Sequence, residues 1–162
     1  MDFEIRRAQI HDVEGMSVVV DSAWRENYRH IFTEQQINKF TGDHRRKSFT
    51  RMLNEGADVF VLTVGSLITA VCAALDCDEA PFDDHSEIVQ LYVLPKYQRK
   101  GFGKELLSRV LREINEKVFK GAVLYTAEKN ENACRFYEKF GFTERKSKEY
   151  DGLTYIFYTI EF

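Results

Sequence analysis

The chain has 162 residues, 44% of them hydrophobic and 30% charged, a balance that suits a packed globular domain and excludes a disordered chain. A net charge of −3 argues against a nucleic-acid binder, and no apolar run approaches the roughly 20 residues needed to span a bilayer. Cys72, Cys77 and Cys134 read as reduced thiols and, like His11, His30, His44 and His85, lack metal-ligand spacing. No metal is expected, and an N-terminus without a signal-peptide pattern predicts a cytoplasmic protein.

Phe3 to Arg7 alternates apolar and charged residues and reads as a first strand. Asp12 is placed to cap a helix whose apolar positions Val13, Met16, Val20 and Ala23 recur at helical spacing. Thr33 and Gln36 form a capping box for a short helix ending at Gly42, and a further helix carrying Phe49, Met52 and Leu53 runs to Gly56. Val59 to Val64 and Leu67 to Leu75 then read as a hairpin turning at Gly65-Ser66. After the acidic loop Asp76 to Asp84, Ser86 to Leu94 is another strand, closed by Pro95.

From Gly103 to about Val118 the period becomes helical, with an apolar stripe at Leu106, Leu107, Val110, Leu111, Ile114 and Val118. Ala122 to Ala127 is a strand, and Asn130 to Phe140 a helix stopped by Gly141. Two last strands, near Phe142 to Lys148 and Thr154 to Phe162, flank a turn at Asp151-Gly152. Strand, turn, helix and strand over Glu87 to Ala127 imply a parallel pair inside a mixed sheet. The fold class is α/β (α+β in stricter usage), one domain over residues 1–162.

Gln98-Arg99-Lys100-Gly101-Phe102-Gly103-Lys104 lies between a strand and an amphipathic helix. Main-chain amides at such a junction cradle an anion, and the helix dipole adds about half a positive charge. Gly101 permits a left-handed bend, and Gly103 lets a phosphate approach where a Cβ would intrude. Arg99, Lys100 and Lys104 can add charge around it. The pattern is not a Walker loop, because Glu105 follows Lys104, and not a dinucleotide fingerprint, because Leu106 takes the third glycine position.

What remains is Gln/Arg-x-x-Gly-x-Gly/Ala between strand and helix, and here the sequence resembles the GNAT acetyltransferase superfamily. Glu87 to Pro95 is similar to the strand leading into that family's coenzyme A loop. Asn130 to Phe142 is similar to its Asn-x-x-Ala-x-x-x-Tyr-x-x-x-Gly-Phe helix. The specific resemblance covers residues 86–142 and implies the GNAT fold, a mixed central sheet of about six to seven strands flanked by helices. It also implies an enzyme that moves an acetyl group from acetyl-CoA to a primary amine by direct attack in a ternary complex. The acceptor, a small molecule, a polyamine or a peptide amine, is left open, and a homodimer is expected by analogy.

By the same resemblance, Gln98 to Lys104 hold the pyrophosphate, and the backbone of Leu91, Tyr92 and Val93 pairs with the pantetheine arm and polarises the thioester carbonyl. Asn130 and Ala133 contact coenzyme A. Glu87 is the candidate base and Tyr137 the candidate acid for the leaving thiolate. Each has a plainer reading: a strand-end carboxylate for Glu87, a core ring beside Phe136, Phe140 and Phe142 for Tyr137, a helix cap for Asn130. Cys134, one turn before Tyr137, reads as a small buried hydrophobe rather than an acetyl carrier. Trp24 either shapes the acceptor pocket or packs in the core. Asp76, Asp78, Glu79, Asp83 and Asp84 would draw a cationic amine to an acidic entry. Two other classes share these motifs: a catalytically silent acyl-CoA-binding module and a partner-interaction domain.

Overall fold

A computed structural model describes residues 1–162. Seven strands form one mixed sheet in the order β1-β2-β3-β4-β5-β7-β6. They are β1 (Glu4–Arg7), β2 (Asp58–Val64), β3 (Leu67–Asp76), β4 (Ser86–Val93), β5 (Gly121–Ala127), β6 (Thr143–Tyr150) and β7 (Leu153–Glu161). The helices are α1 (Val13–Asn27), α2 (Glu34–Phe40), α3 (Asp43–Asn54), α4 (Phe102–Asn115) and α5 (Glu131–Phe140). β4 and β5 are parallel, as a crossover through α4 requires; β1–β2, β2–β3, β5–β7 and β6–β7 are antiparallel. The chain divides into two compact units, one of residues 1–74 and 90–110, the other of residues 75–89 and 111–162.

In the first unit, α1 buries Met16, Val19, Val20, Ala23 and Trp24 along one stripe, and α3 buries Arg45, Phe49 and Met52. The α2 capping box is present: Gln36 N donates to Thr33 Oγ1 at 3.1 Å, and Thr33 N to Gln36 Oε1 at 2.9 Å. Asp12 does not cap α1 as expected. Its carboxylate instead accepts both arms of Arg6, at 2.8 and 3.0 Å, and the amide of Gln9 at 2.8 Å. A two-armed guanidinium is a stronger partner than one helix amide, and it holds this buried carboxyl below its ordinary pKa.

In the second unit, β5, β7 and β6 form an antiparallel ribbon with β6 at the edge. Every residue of β6 is exposed, and its Glu, Arg and Lys side chains guard that edge. β6 also carries one extra residue, because its register shifts between Glu144 and Lys146. A Cβ on Gly121 would drive into the Ile160 carbonyl and the His85 ring, so β5 has to begin on glycine. His85 is buried, with Asp84 at 2.6 Å on one ring nitrogen and Glu161 at 2.8 Å on the other.

The apolar stripe expected to reach Val118 is shorter than the sequence suggests. α4 buries Leu106, Leu107, Val110, Leu111 and Ile114 but ends at Asn115. The amides of Glu116 and Lys117 turn back to the carbonyls of Arg112 and Ile114, which leaves Val118 95% exposed.

Candidate active site

In the first unit, β4 runs into a short 3-10 turn at Pro95–Tyr97, where Tyr97 N donates to Leu94 O at 2.8 Å. The Gln98 side-chain amide then donates to Val93 O at 2.9 Å and to Asn27 Oδ1 at 3.0 Å. Gln98 therefore braces the loop against the end of β4 and the end of α1. Arg99 and Gly101 both lie in the left-handed region, at φ +60° and +84°, and bend the chain sharply into α4. Glu105 N closes the first helical turn on Gly101 O at 3.0 Å. The amides of Arg99 to Lys104 donate to no carbonyl of the chain, so they stand free at the positive end of the α4 dipole. Nothing lies within 4 Å of where a Gly101 Cβ would be. Arg99, Lys100 and Lys104 are exposed around this loop, whereas the Phe102 ring turns inward onto Phe3 and Tyr97, with centroids at 5.5 and 6.2 Å. Phe102 thus offers a ligand only its main chain.

The parallel register of β4 with β5 covers Ser86↔Ala122 and Glu87↔Val123 and ends there. Leu91, Tyr92 and Val93, further along β4, carry main-chain groups outside that register. The Tyr92 hydroxyl accepts the Trp24 indole N–H at 3.1 Å, and Trp24 stacks on Phe32 at 4.8 Å. Tyr28 and Phe40 complete an aromatic cluster around the indole. Beside it Arg45 is 4% exposed and donates to the Phe40 carbonyl. Burial pushes its guanidinium pKa down, opposed by Tyr92, Asp21 and Tyr28.

In the second unit, Glu87 is half-buried on β4. Burial raises the pKa of its carboxyl, the charges of Asp78 and Glu79 raise it further, and Lys148 opposes them. Tyr137 is 9% exposed, and its ring packs on Phe136, Phe142 and Tyr158 at 5.3, 5.6 and 6.2 Å. One turn earlier on α5, the Cys134 thiol lies 3.7 Å from the Ala127 carbonyl, and burial pushes its pKa up. A thiol so held is a poor nucleophile. Asn130 caps α5, its Oδ1 accepting the Ala133 amide at 3.3 Å, which leaves the Asn130 NH₂ group as the donor for any ligand.

Residues that the motifs do not mark surround Glu87. Glu79 accepts the Tyr125 hydroxyl at 2.8 and 2.9 Å and the Lys146 ammonium at 2.5 Å. Lys148 lies over the Tyr125 ring, 4.1 Å from its centre. Val123, Phe157 and Cys77 are buried beneath, with Phe82 and Tyr125 packed against them. Of the carboxylates expected to form an acidic entry, Glu79 is thus paired, and Asp84 is bound by Lys120 at 2.9 Å as well as by His85. The only sequence signal for this network was the acidic loop itself.

The profile of the acetyltransferase (GNAT) family matches residues 20–142. A spermidine N(1)-acetyltransferase of Thermoplasma acidophilum is 25% identical over 158 residues, covering 96% of each chain. Among solved structures, the PaiA N-acetyltransferase of Thermoplasma acidophilum in complex with coenzyme A superposes with a TM-score of 0.82. It shares 21% identity, over 97% of this chain and 98% of that one. The ribosomal-protein-S18-alanine N-acetyltransferase of Escherichia coli gives a TM-score of 0.72 at 21% identity, over 99% of this chain and 94% of that one. No helix is long and apolar enough to cross a membrane.

Proposed function

The chain belongs to the acetyltransferase (GNAT) family, and from that premise we propose that it transfers the acetyl group of acetyl-CoA to a primary amine by direct attack within a ternary complex. The observation that carries this reading is the loop at residues 98–104: free amides from Arg99 to Lys104 at the start of a 14-residue helix. They suit the diphosphate of coenzyme A, with Arg99, Lys100 and Lys104 around its charge. Leu91, Tyr92 and Val93 would pair with the pantetheine arm, and Asn130 and Ala133 would border it.

The amine has to lose a proton before it attacks. An alkylamine with pKa ~10.4 is neutral in about one molecule in a few thousand at pH 7, a cost of roughly 4–5 kcal/mol. Glu87 takes that proton, and the raised pKa of its carboxyl suits the task. The amine nitrogen then bonds to the thioester carbon, the C–S bond breaks, and Tyr137 protonates the departing thiolate. A phenol at pKa ~10 is close enough to a thiol at ~8.5 for that transfer. The kinship with a spermidine acetyltransferase makes polyamines the first acceptors to try. One domain, acting in the cytoplasm as a homodimer, completes the reading.

Calorimetric titration with coenzyme A, then a thiol-release screen over polyamines, amino acids, aminoglycosides and peptide N-termini, tests it. Binding followed by thiol release with one amine class is the expected result. Absence of coenzyme A binding would overturn the assignment, and binding without release from any amine would leave a silent acyl-CoA-binding module.

A further inference from the structure

Over the stretch where they pair, β6 has one residue more than β7. Thr143 and Glu144 stand opposite Thr159 and Tyr158, but Lys146, not Arg145, stands opposite Phe157. Arg145 is the extra residue, and its Nε donates to Thr159 Oγ1 at 2.8 Å. An extra residue offsets the two-residue alternation, so every later side chain changes face. Were Arg145 itself paired with Phe157 in unbroken alternation, Lys146 and Lys148 would take the face opposite to Phe157. With the bulge, Lys146 shares a row with Phe157 of β7 and Tyr125 of β5. Lys146 Nζ meets Glu79 and lies 4.9 Å from the Phe157 ring centre, while Lys148 Nζ lies over Tyr125. Tyr125 follows by two residues Val123, the parallel partner of Glu87, so these side chains line one face.

We infer that the Arg145 bulge delivers Lys146 and Lys148 to the face of Glu87, so that Lys148 and Glu79, the latter held by Tyr125 and Lys146, set opposite charges on that face. The inference rests on the reading of Glu87 as the base. It makes Glu79, Lys146 and Lys148 positioning residues that set the pH range of acetyl transfer. The groups facing Glu87 are Asp78 and Glu79 from the segment after β3, Lys148 from β6, and Tyr125 and Cys77, both of which feel its charge. The Glu79 and Lys146 side chains are 33% and 43% exposed, so water damps their fields but does not cancel them.

The signs are opposite, which makes the test sharp. In protein carrying carboxyl-13C glutamate, the Glu87 resonance is assigned by its disappearance in Glu87→Gln and followed against pH. Its midpoint should fall by about half a pH unit or more in Glu79→Gln and rise by a similar amount in Lys148→Met. Lys146→Met, which leaves the Glu79 charge unpaired, should raise it less. Lys47→Met, the same loss of charge on α3, should leave it in place. Midpoints that stay fixed in Glu79→Gln and Lys148→Met, or move in one direction together, overturn the inference. The function reading fails separately: if Glu87→Gln keeps the acidic limb of kcat/KM against pH, Glu87 is not the base, whatever the resonances do.

Discussion

At the start of α4 the groups left for a ligand are main-chain amides, whereas around Glu87 they are side chains brought together from β4, β5, β6 and the segment after β3. The first arrangement needs a bend, and a bend needs only a few residues of the right kind in a row. Arg99 and Gly101 in left-handed conformation and the Gln98 brace make it, all within one short stretch. The second arrangement needs register across the sheet. Tyr125 and Glu79 are 46 residues apart, and Lys146 and Glu79 are 67 apart. On the proposed function, local chemistry would build the grip and long-range register the reactive environment.

The contrast predicts a division of effects. Variants on the Glu87 face should change turnover while leaving the coenzyme in place; variants in the loop should do the reverse. The largest effect belongs to Glu87→Gln, which should cut kcat/KM for the acceptor by about 10²–10⁴-fold near neutral pH with coenzyme A affinity unchanged. Steady-state kinetics beside calorimetry would check it, and a matching loss of affinity would break the division. Tyr137→Phe should follow at about 10²-fold in kcat, and unchanged turnover would remove Tyr137 from the chemistry.

Gly101→Ala tests the other side. At φ +84° a side chain costs about 1–2 kcal/mol, so coenzyme A should bind roughly tenfold more weakly while kcat at saturation holds. A fall in kcat with affinity intact would mean that the loop does more than grip. Smallest of all is Cys134→Ser. The thiol is partly buried and its pKa is raised, so turnover should persist, and a trapped acetyl-enzyme at Cys134 would replace direct attack with a two-step transfer.

The same contrast explains what could be read from the sequence. The loop, the Asn130 cap, the Gly141 stop and the hairpin at Gly65-Ser66 are local patterns, and the structure places each where the residues suggest. Asp12 is a cap signal overruled by a nearby partner, because the Arg6 guanidinium, on β1 just before it, reaches its carboxylate. Val118 fits the helical period, but a period does not say where the backbone turns away. The environment of Glu87 was hidden for a different reason. Lys146 and Lys148 alternate with Arg145 and Ser147 in a wholly polar strand, so nothing in the residues themselves shows which set faces Tyr125.

The bulge at Arg145 also bears on what pairing alone decides. Removing Arg145 would leave Lys146 opposite Phe157 in unbroken register, whereas drawing Arg145 into that pairing would turn Lys146 and Lys148 to the other face and put Ser147 in their row. If Glu87 is the base, the way an exposed margin of the sheet is paired, rather than which residues it holds, would then set the working pH.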